Sequence, residues 1–512
     1  MCSSDLARLL ARQEPHRLRR HRVAAGQALA PVAPEPEQGA DVAERIADRA
    51  HVPVVDGDAA ARVVEGDRHV VELPVVVHQR GRRRFRQVRE QPEAVARALA
   101  GKGGAEYVKD IVAHDATRRR LIKEAEDLKA LRNRASEAIG QARKRGEDAG
   151  AERAQMREVG ERIKVLDDAV KEVDGRIEAL LVQLPNLPHP SVPPGRNEDD
   201  NVEVRRWGTP RAFPFTPRTH DEVGEALGIL DPERAVKIAK ARFNVLWGPA
   251  ARLERAIGQF MLDLHTREHG YTEVWVPNLV NGTTMLKTGQ LPKFEEGLFK
   301  TVEPDDNRTL YLIPTAEVSL TGLHNEETLP EATLPRLYTA LTPCYRREAG
   351  TYGKDMKGLY RQHQFDKVEL VKIATPAQSY DELESLVGNA EVVLQRLEIP
   401  YRVVERCVGD LGFSAAKGYD IEAWLPGQNR YREISSCSNY DAFGGRRAEI
   451  RYRPESGGRA EFCATLNGSG LAVGRTVIAV LENYQEADGT VTVPAALRPY
   501  MDGLERLTRF RR

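Results

Sequence analysis

The 512-residue chain has no run of 18 consecutive apolar residues, so its sequence offers no helix able to cross a membrane. Cysteine is scarce: Cys2, Cys344, Cys407, Cys437 and Cys463 are scattered and form no CxxC pair. That excludes a disulfide framework and a cysteine-based zinc site, and it fits a reducing cytoplasm. Net charge is also lacking, with 76 Lys+Arg against 76 Asp+Glu, so any nucleic-acid partner must be sought in local patches. The usual nucleotide-binding signatures are missing too. Gly350-Thr351-Tyr352-Gly353-Lys354 has the wrong spacing for a P-loop. The glycines from Gly468 to Gly474 miss the dinucleotide fingerprint by one residue and have no βαβ unit around them.

The first 84 residues contain no Lys, Asn, Thr, Phe, Tyr or Trp, yet carry fourteen Arg. Without aromatics there is little to fill a core, and no periodic pattern persists. An Arg-rich targeting segment over Leu6 to Val23 is one reading, but acidic residues accumulate from Glu35 and serine is sparse. The plainer reading is an extension, disordered or arising from a mis-called start, with no function assigned to it.

What is present begins with a strong periodicity. Met156, Val159, Ile163, Leu166, Val170, Val173, Ile177, Leu180 and Leu184 follow a strict 3-4 spacing, the seam of a coiled-coil helix. Leu121, Ala125, Leu128, Ala135, Ile139 and Ala142 repeat it upstream, with Arg132 at one core position. Between them, Arg145 to Gly150 holds two glycines and reads as a turn. The spacing therefore predicts an antiparallel hairpin of two helices of about thirty residues, about 45 Å long. Pro185 to Pro194 end it. Such a coil is more often a spacer or a dimerisation element. Here Arg132, Arg134, Arg143, Lys144 and Arg145 gather towards its tip, which suits contact with phosphates far from the globular body.

From about Arg205 the composition is that of a mixed globular domain, with helical stretches between Asp231 and His269 and short runs rich in Val, Ile, Tyr and Phe. Along Tyr360 to Ile373, period-two geometry places Arg361, Phe365 and Glu369 on one face. The same logic pairs Arg346 with Glu348, and Thr315 with Glu317. An arginine, a ring and a carboxylate in line suit phosphate contact, base stacking and recognition of an amine or hydroxyl. Singly, each residue is more often structural.

The order of these segments carries more. LHTREHGYTEVWVPNLV (Leu264 to Val280), CYRREAG with GLYRQHQFDKVE, and LNGSGLAVGRTVIAVLENYQ (Leu466 to Gln485) resemble motifs 1, 2 and 3 of class II aminoacyl-tRNA synthetases. With the TAE triplet, EISSCSNY and the coiled coil, the chain from about Phe85 onward resembles bacterial-type seryl-tRNA synthetases. The resemblance implies an α+β fold: residues 85–195 form an antiparallel α-helical coiled-coil arm that binds tRNA. Residues 196–512 form a class II catalytic domain, an antiparallel sheet of roughly six or seven strands flanked by helices. Residues 1–84 fall outside it.

The resemblance also implies the chemistry and its residues. Serine is activated with ATP and then transferred to tRNA(Ser), read mainly through its long variable arm, with tRNA(Sec) an open second partner. Arg346 bridges the serine carboxylate and the α-phosphate, and Arg475 clamps the γ-phosphate. Glu348 holds the adenine edge and Phe365 stacks on the ring. Arg347, Gln362, Ile434 and Ser435 complete the ATP set, and Glu433 and Ser436 carry Mg²⁺. Thr315, Ala316, Glu317, Arg346, Glu369 and Ser469 bind L-serine. The protein is expected to be a cytoplasmic homodimer joined through motif 1, without zinc and without a membrane partner. Arg347, Gln362, Gly444-Gly445 and Ala464 depart from the family's common residues. Synthetases for threonine or proline, and the archaeal zinc-dependent form, fit less well. From another class, the alternative is an inactive paralogue that only binds RNA.

Overall fold

The computed structural model describes residues 82–512, except 147, 304–307, 350–356 and 512, and no side chains before residue 85. The expectation for residues 1–84 lies outside the described residues, save that the first helix, α1 (Arg82–Glu90), starts within that stretch. The GTYGK segment lies outside them as well.

The arm begins with α1 and α2 (Pro92–Leu99), which form a platform for two long helices, α3 (Ala105–Lys144) and α4 (Gly150–Gln183). Both long helices exceed the expected thirty residues, because α3 starts well ahead of its coiled-coil seam. Its first turns bury Val108 and Ile111 against Val88, Val95 and Leu99 of the platform and against Val173, Ile177 and Leu184. At 1.5 Å per residue the 40-residue α3 spans about 60 Å, longer than expected. Leu184 falls just past the end of α4 and still closes the basal core. Further out, Ile163 and Leu166 are buried but Met156 and Val159 only half so, since two helices alone cannot enclose a seam. Ion pairs lace the shaft: Arg118–Asp174 at 2.5 Å, Lys129–Asp167 at 2.8 Å and Arg162–Glu124 at 2.9 Å.

The proline-rich segment after α4 is docked on the domain that follows it. Asn186 N donates to Phe413 O at 2.9 Å, and Asn186 Nδ2 reaches Ser414 O and Tyr440 O. Arg447 Nη1 donates to Val182 O at the end of α4.

The domain that follows the arm is built on one mixed sheet. Its strands are β1 (Val202–Trp207), β2 (Thr272–Glu273), β3 (Arg336–Tyr345), β4 (Gln364–Ala374), β5 (Tyr401–Glu405), β6 (Lys417–Leu425), β7 (Arg430–Asn439) and β8 (Ala464–Ala472), in the order β1-β5-β6-β7-β8-β4-β3-β2. Among the described residues this sheet has eight strands rather than six or seven, and the two-residue β2 pairs parallel to β3 while its other pairings are antiparallel. Helices α5 (Pro249–Arg267), α6 (Ser379–Arg396) and α7 (Val473–Asn483) bury apolar stripes in the shared core, including Ile257, Met261, Leu386, Leu394, Val477 and Leu481. Residues 367–374 of β4 are buried without a break, as a central strand covered on both faces must be. The Gly444-Gly445 pair has a local cause. A Cβ there would stand 2.0 Å from Thr465 Oγ1 or 2.1 Å from Cys463 O, where a short helix (Ala442–Ala448) meets the sheet.

Candidate active site

Pairing between β3 and β4 stops at Tyr345↔Gln364, so the residues beyond it leave the sheet and rim a cleft. Arg346 N donates to His363 O at 2.9 Å, and His363 Nδ1 donates back to Arg346 O at 3.0 Å, which closes the mouth of the hairpin. The Arg346 guanidinium is aimed by Nε, which donates to Pro314 O at 3.2 Å, and it lies 5.3 Å from the centre of the Phe365 ring. Glu348 stands at φ 49° and accepts from Arg361 Nη1 at 2.7 Å. Arg361 precedes β4 rather than lying in it, so pleating does not align it with Phe365 and Glu369; it meets Glu348 instead.

Within β4, Phe365, Lys367 and Glu369 share a face. Lys367 Nζ donates to Thr315 Oγ1 at 2.9 Å and lies 2.5 Å from Glu369 Oε2, while Asn467 Nδ2 donates to Glu369 Oε1 at 3.4 Å. Thr315 and Glu317 are not strand neighbours. They turn into a short helix, Glu317–Gly322, whose first amide donates to Thr315 Oγ1. Tyr440 OH donates to Glu317 Oε2 at 3.4 Å. Burial first, and the Glu369 carboxylate second, push Glu317 up to about 8.

Across the cleft, the pairing of β6 with β7 slips between Ile421 and Glu422, leaving Ile434 as a bulge. The extra residue puts Glu433 and Ser436 on one side, where simple alternation would separate them. Arg475, in the first turn of α7, lies 3.0 Å from Glu433 Oε1, donates to Glu433 O and Tyr360 O, and covers the Tyr360 ring at 4.4 Å. Burial pushes the Glu433 carboxyl upward, but Arg475 and Arg406 together hold it below the usual range. The neighbouring Asp420 is pushed up to about 7 by burial, against the pull of Arg406, and its buried Oδ1 has no hydrogen-bond partner. Asp420 pairs with Ser436 in the sheet, so carboxylate and hydroxyl oxygens gather at one spot. That donor set fits a hard divalent cation. Among the described residues no group of three or more His, Cys, Asp or Glu is placed to hold a metal by itself.

The cleft measures about 550 Å³, and its lining includes Thr315, Glu317, Arg346, Glu348, Gln362, Phe365, Glu433, Ile434, Ser436, Ser469 and Arg475. Four of the expected residues lie outside that lining. Ala316 is buried among apolar side chains, Arg347 is exposed with its amide on Gly297 O, Glu369 sits beneath Lys367, and Ser435 Oγ donates to Ser469 O. Lys367, Asp420, Arg406 and Tyr440 were missed: an isolated lysine, acid, arginine or tyrosine on a strand or strand end carries no pattern. On the arm, Arg134, Arg143, Lys144 and Arg145 are exposed and Arg132 is half-buried at its seam position.

Known proteins resemble both halves. Residues 85–188 match the family model of the seryl-tRNA synthetase N-terminal domain, and residues 299–484 that of the tRNA synthetase class II core domain (G, H, P, S and T). A serine-tRNA ligase of Nitratidesulfovibrio vulgaris is 56% identical over 421 residues, 82% of this chain and 98% of that protein. One from Pelobacter propionicus is 54% identical over 420 residues, with the same coverage. Among solved structures, the seryl-tRNA synthetase from Pyrococcus horikoshii complexed with ATP superposes with TM-score 0.78 at 38% identity, covering 83% of this chain and 99% of that one. The cytoplasmic serine-tRNA ligase from Naegleria fowleri in complex with AMP gives TM-score 0.76 at 29% identity, with the same coverage.

Proposed function

This chain belongs to the seryl-tRNA synthetase family, and from that premise we propose that its cleft activates L-serine with ATP while its arm presents tRNA(Ser) for the transfer. The observation that carries this reading is convergence: Arg346 and Phe365 of motif 2, Glu433 of β7, Arg475 of motif 3, and Thr315 and Glu317 line one cleft.

A serine carboxylate oxygen attacks the α-phosphorus in line; the bond to pyrophosphate breaks and seryl-adenylate forms. No protein nucleophile is needed, so the residues position reactants and offset developing charge. Arg346 bridges carboxylate and α-phosphate, a task for a planar guanidinium, and the bond to Pro314 O orients it. Phe365 stacks on adenine, and Glu348 turns from Arg361 to the adenine amino edge. Arg475 holds the γ-phosphate. Glu433 and Ser436, with Asp420 behind them, would hold Mg²⁺; when bound it supplies charge neutralisation on the phosphates. Glu317 takes the serine ammonium, Thr315 and Ser469 flank the hydroxyl, and Glu369 acts on the same pocket from beneath, through its ion pair with Lys367. Alanine would leave those polar groups unpaired, a penalty that can discriminate by on the order of 10⁴. In the second step a hydroxyl of the terminal adenosine attacks the seryl carbonyl and AMP leaves.

The exposed basic tip supports a phosphate contact at the end of α3, and tRNA(Sec) remains a candidate second substrate of the same arm. A homodimer through motif 1 agrees with Trp275, which is 92% exposed in the single chain. A reducing cytoplasm agrees with four described cysteines that are all free. ATP–pyrophosphate exchange tests the reading, run with serine beside threonine, alanine, glycine and proline. Exchange with serine alone supports it. No exchange in a folded protein supplied with Mg²⁺ would favour the RNA-binding paralogue.

A further inference from the structure

A β-bulge sits inside the pocket assigned to serine. Strands β8 and β4 stay in register to Ser469↔Glu369, after which Leu471 faces Val368, so Gly470 is the extra residue. The bulge therefore sets the direction of Ser469, a residue that lines the cleft. Both of its carbonyls are tied from outside. Ser435 Oγ donates to Ser469 O at 2.6 Å, and the imidazole Nε2 of His265, in the last turn of α5, lies 3.2 Å from Gly470 O. A Cβ on residue 470 would stand 2.7 Å from that nitrogen, so the ring fills the space against the bulge. His265 is fully buried.

The protons on this chain of groups can be assigned. A carbonyl only accepts, so His265 Nε2 carries the hydrogen. Burial pushes the imidazole down to about 4, so the ring is neutral and Nδ1 is a lone-pair acceptor. The Nδ1 of His269 is 3.0 Å away and must donate. The Gly470 carbonyl thus fixes the tautomer of His265, His269 supports the same tautomer from the other nitrogen, and His265 holds the bulge.

We infer that His265 is a positioning residue for serine recognition: it clamps the Gly470 carbonyl in a tautomer that His269 supports and so aims Ser469 at the substrate. This rests on the serine-ligase reading and extends it to a histidine pair on and just after α5 that touches no substrate. A misdirected Ser469 weakens serine without disturbing Phe365 and Glu348, which serve ATP from another edge of the cleft.

The test is the serine KM and the ATP KM of the full chain in pyrophosphate exchange, with the wild-type exchange itself establishing the underlying reading. His265→Leu keeps an apolar body but cannot donate, and is expected to raise the serine KM about tenfold while the ATP KM stays within about twofold. His265→Gln keeps an N–H at similar reach and restores the serine KM to within about threefold of wild type. An unchanged serine KM in the leucine variant, or equal rises for serine and ATP in both variants, overturns the inference. Should the leucine variant not fold, His269→Phe removes the donor to Nδ1 at a half-buried position. It is expected to raise the serine KM about threefold with the ATP KM unmoved, and no change overturns the inference.

Discussion

Serine binding should be linked to the release of a proton from Glu317. Its carboxyl is buried in the cleft, faces Glu369, and is pushed up to about 8. At pH 7 such a group is about nine-tenths protonated, yet it must be a carboxylate to hold the serine ammonium. The sign follows from linkage: binding favours the deprotonated form, so affinity rises with pH until the empty-site pKa is passed. Between pH 7 and pH 8 the deprotonated fraction climbs from about 0.1 to about 0.5, and the serine KM should fall about fivefold. Calorimetric titration of serine at pH 7 in two buffers of different protonation enthalpy should show release of about 0.9 proton. Glu317→Gln should bind serine more weakly, with a flat profile and no proton release. A wild-type profile as flat as that of the glutamine variant, with no proton released, would refute the reasoning.

The other expectations are simpler to state. Arg346→Ala should reduce pyrophosphate exchange by about 10³-fold or more, and Arg346→Lys should recover little, because an ammonium cannot bridge two anionic groups in one plane; near-normal exchange in either would remove the assigned role. Truncation of residues 1–84 should leave exchange and charging within about twofold of the full chain, since the family match begins at residue 85. A larger drop in steady-state rates would show that this segment takes part in function.

The arm and the motifs were legible because they rest on local rules. The 3-4 spacing of Ile163, Leu166, Val173 and Ile177 is the buried face of α4. The start of α3 at Ala105 was not legible, since Val108 and Ile111 pack on α1 and α2 and follow no seam of their own. In the cleft, Arg346, Glu348, Phe365 and Arg475 could be named from motif order. Their supports could not: the bulges at Ile434 and Gly470 break the alternation from which side-chain direction is read. Thr315 and Glu317 reach the cleft through a turn rather than a strand, and Lys367, which joins Thr315 to Glu369, is a lone cation that composition alone would place at the surface.

The central claim, that activation belongs to the cleft and tRNA charging needs the arm, is tested most directly by shortening the arm. The cut should spare the basal core, which includes Val173 and Ile177, and the Arg118–Asp174 ion pair, so residues 125–169 are replaced by a short glycine-rich turn. Serine-dependent pyrophosphate exchange and tRNA(Ser) charging are then measured on the same preparation. The account predicts exchange within about twofold of the full chain and charging kcat/KM lower by about 10²-fold or more, as phosphate contacts on the lever are lost. Charging that survives intact, or exchange that falls in step with charging in a folded protein, would contradict it.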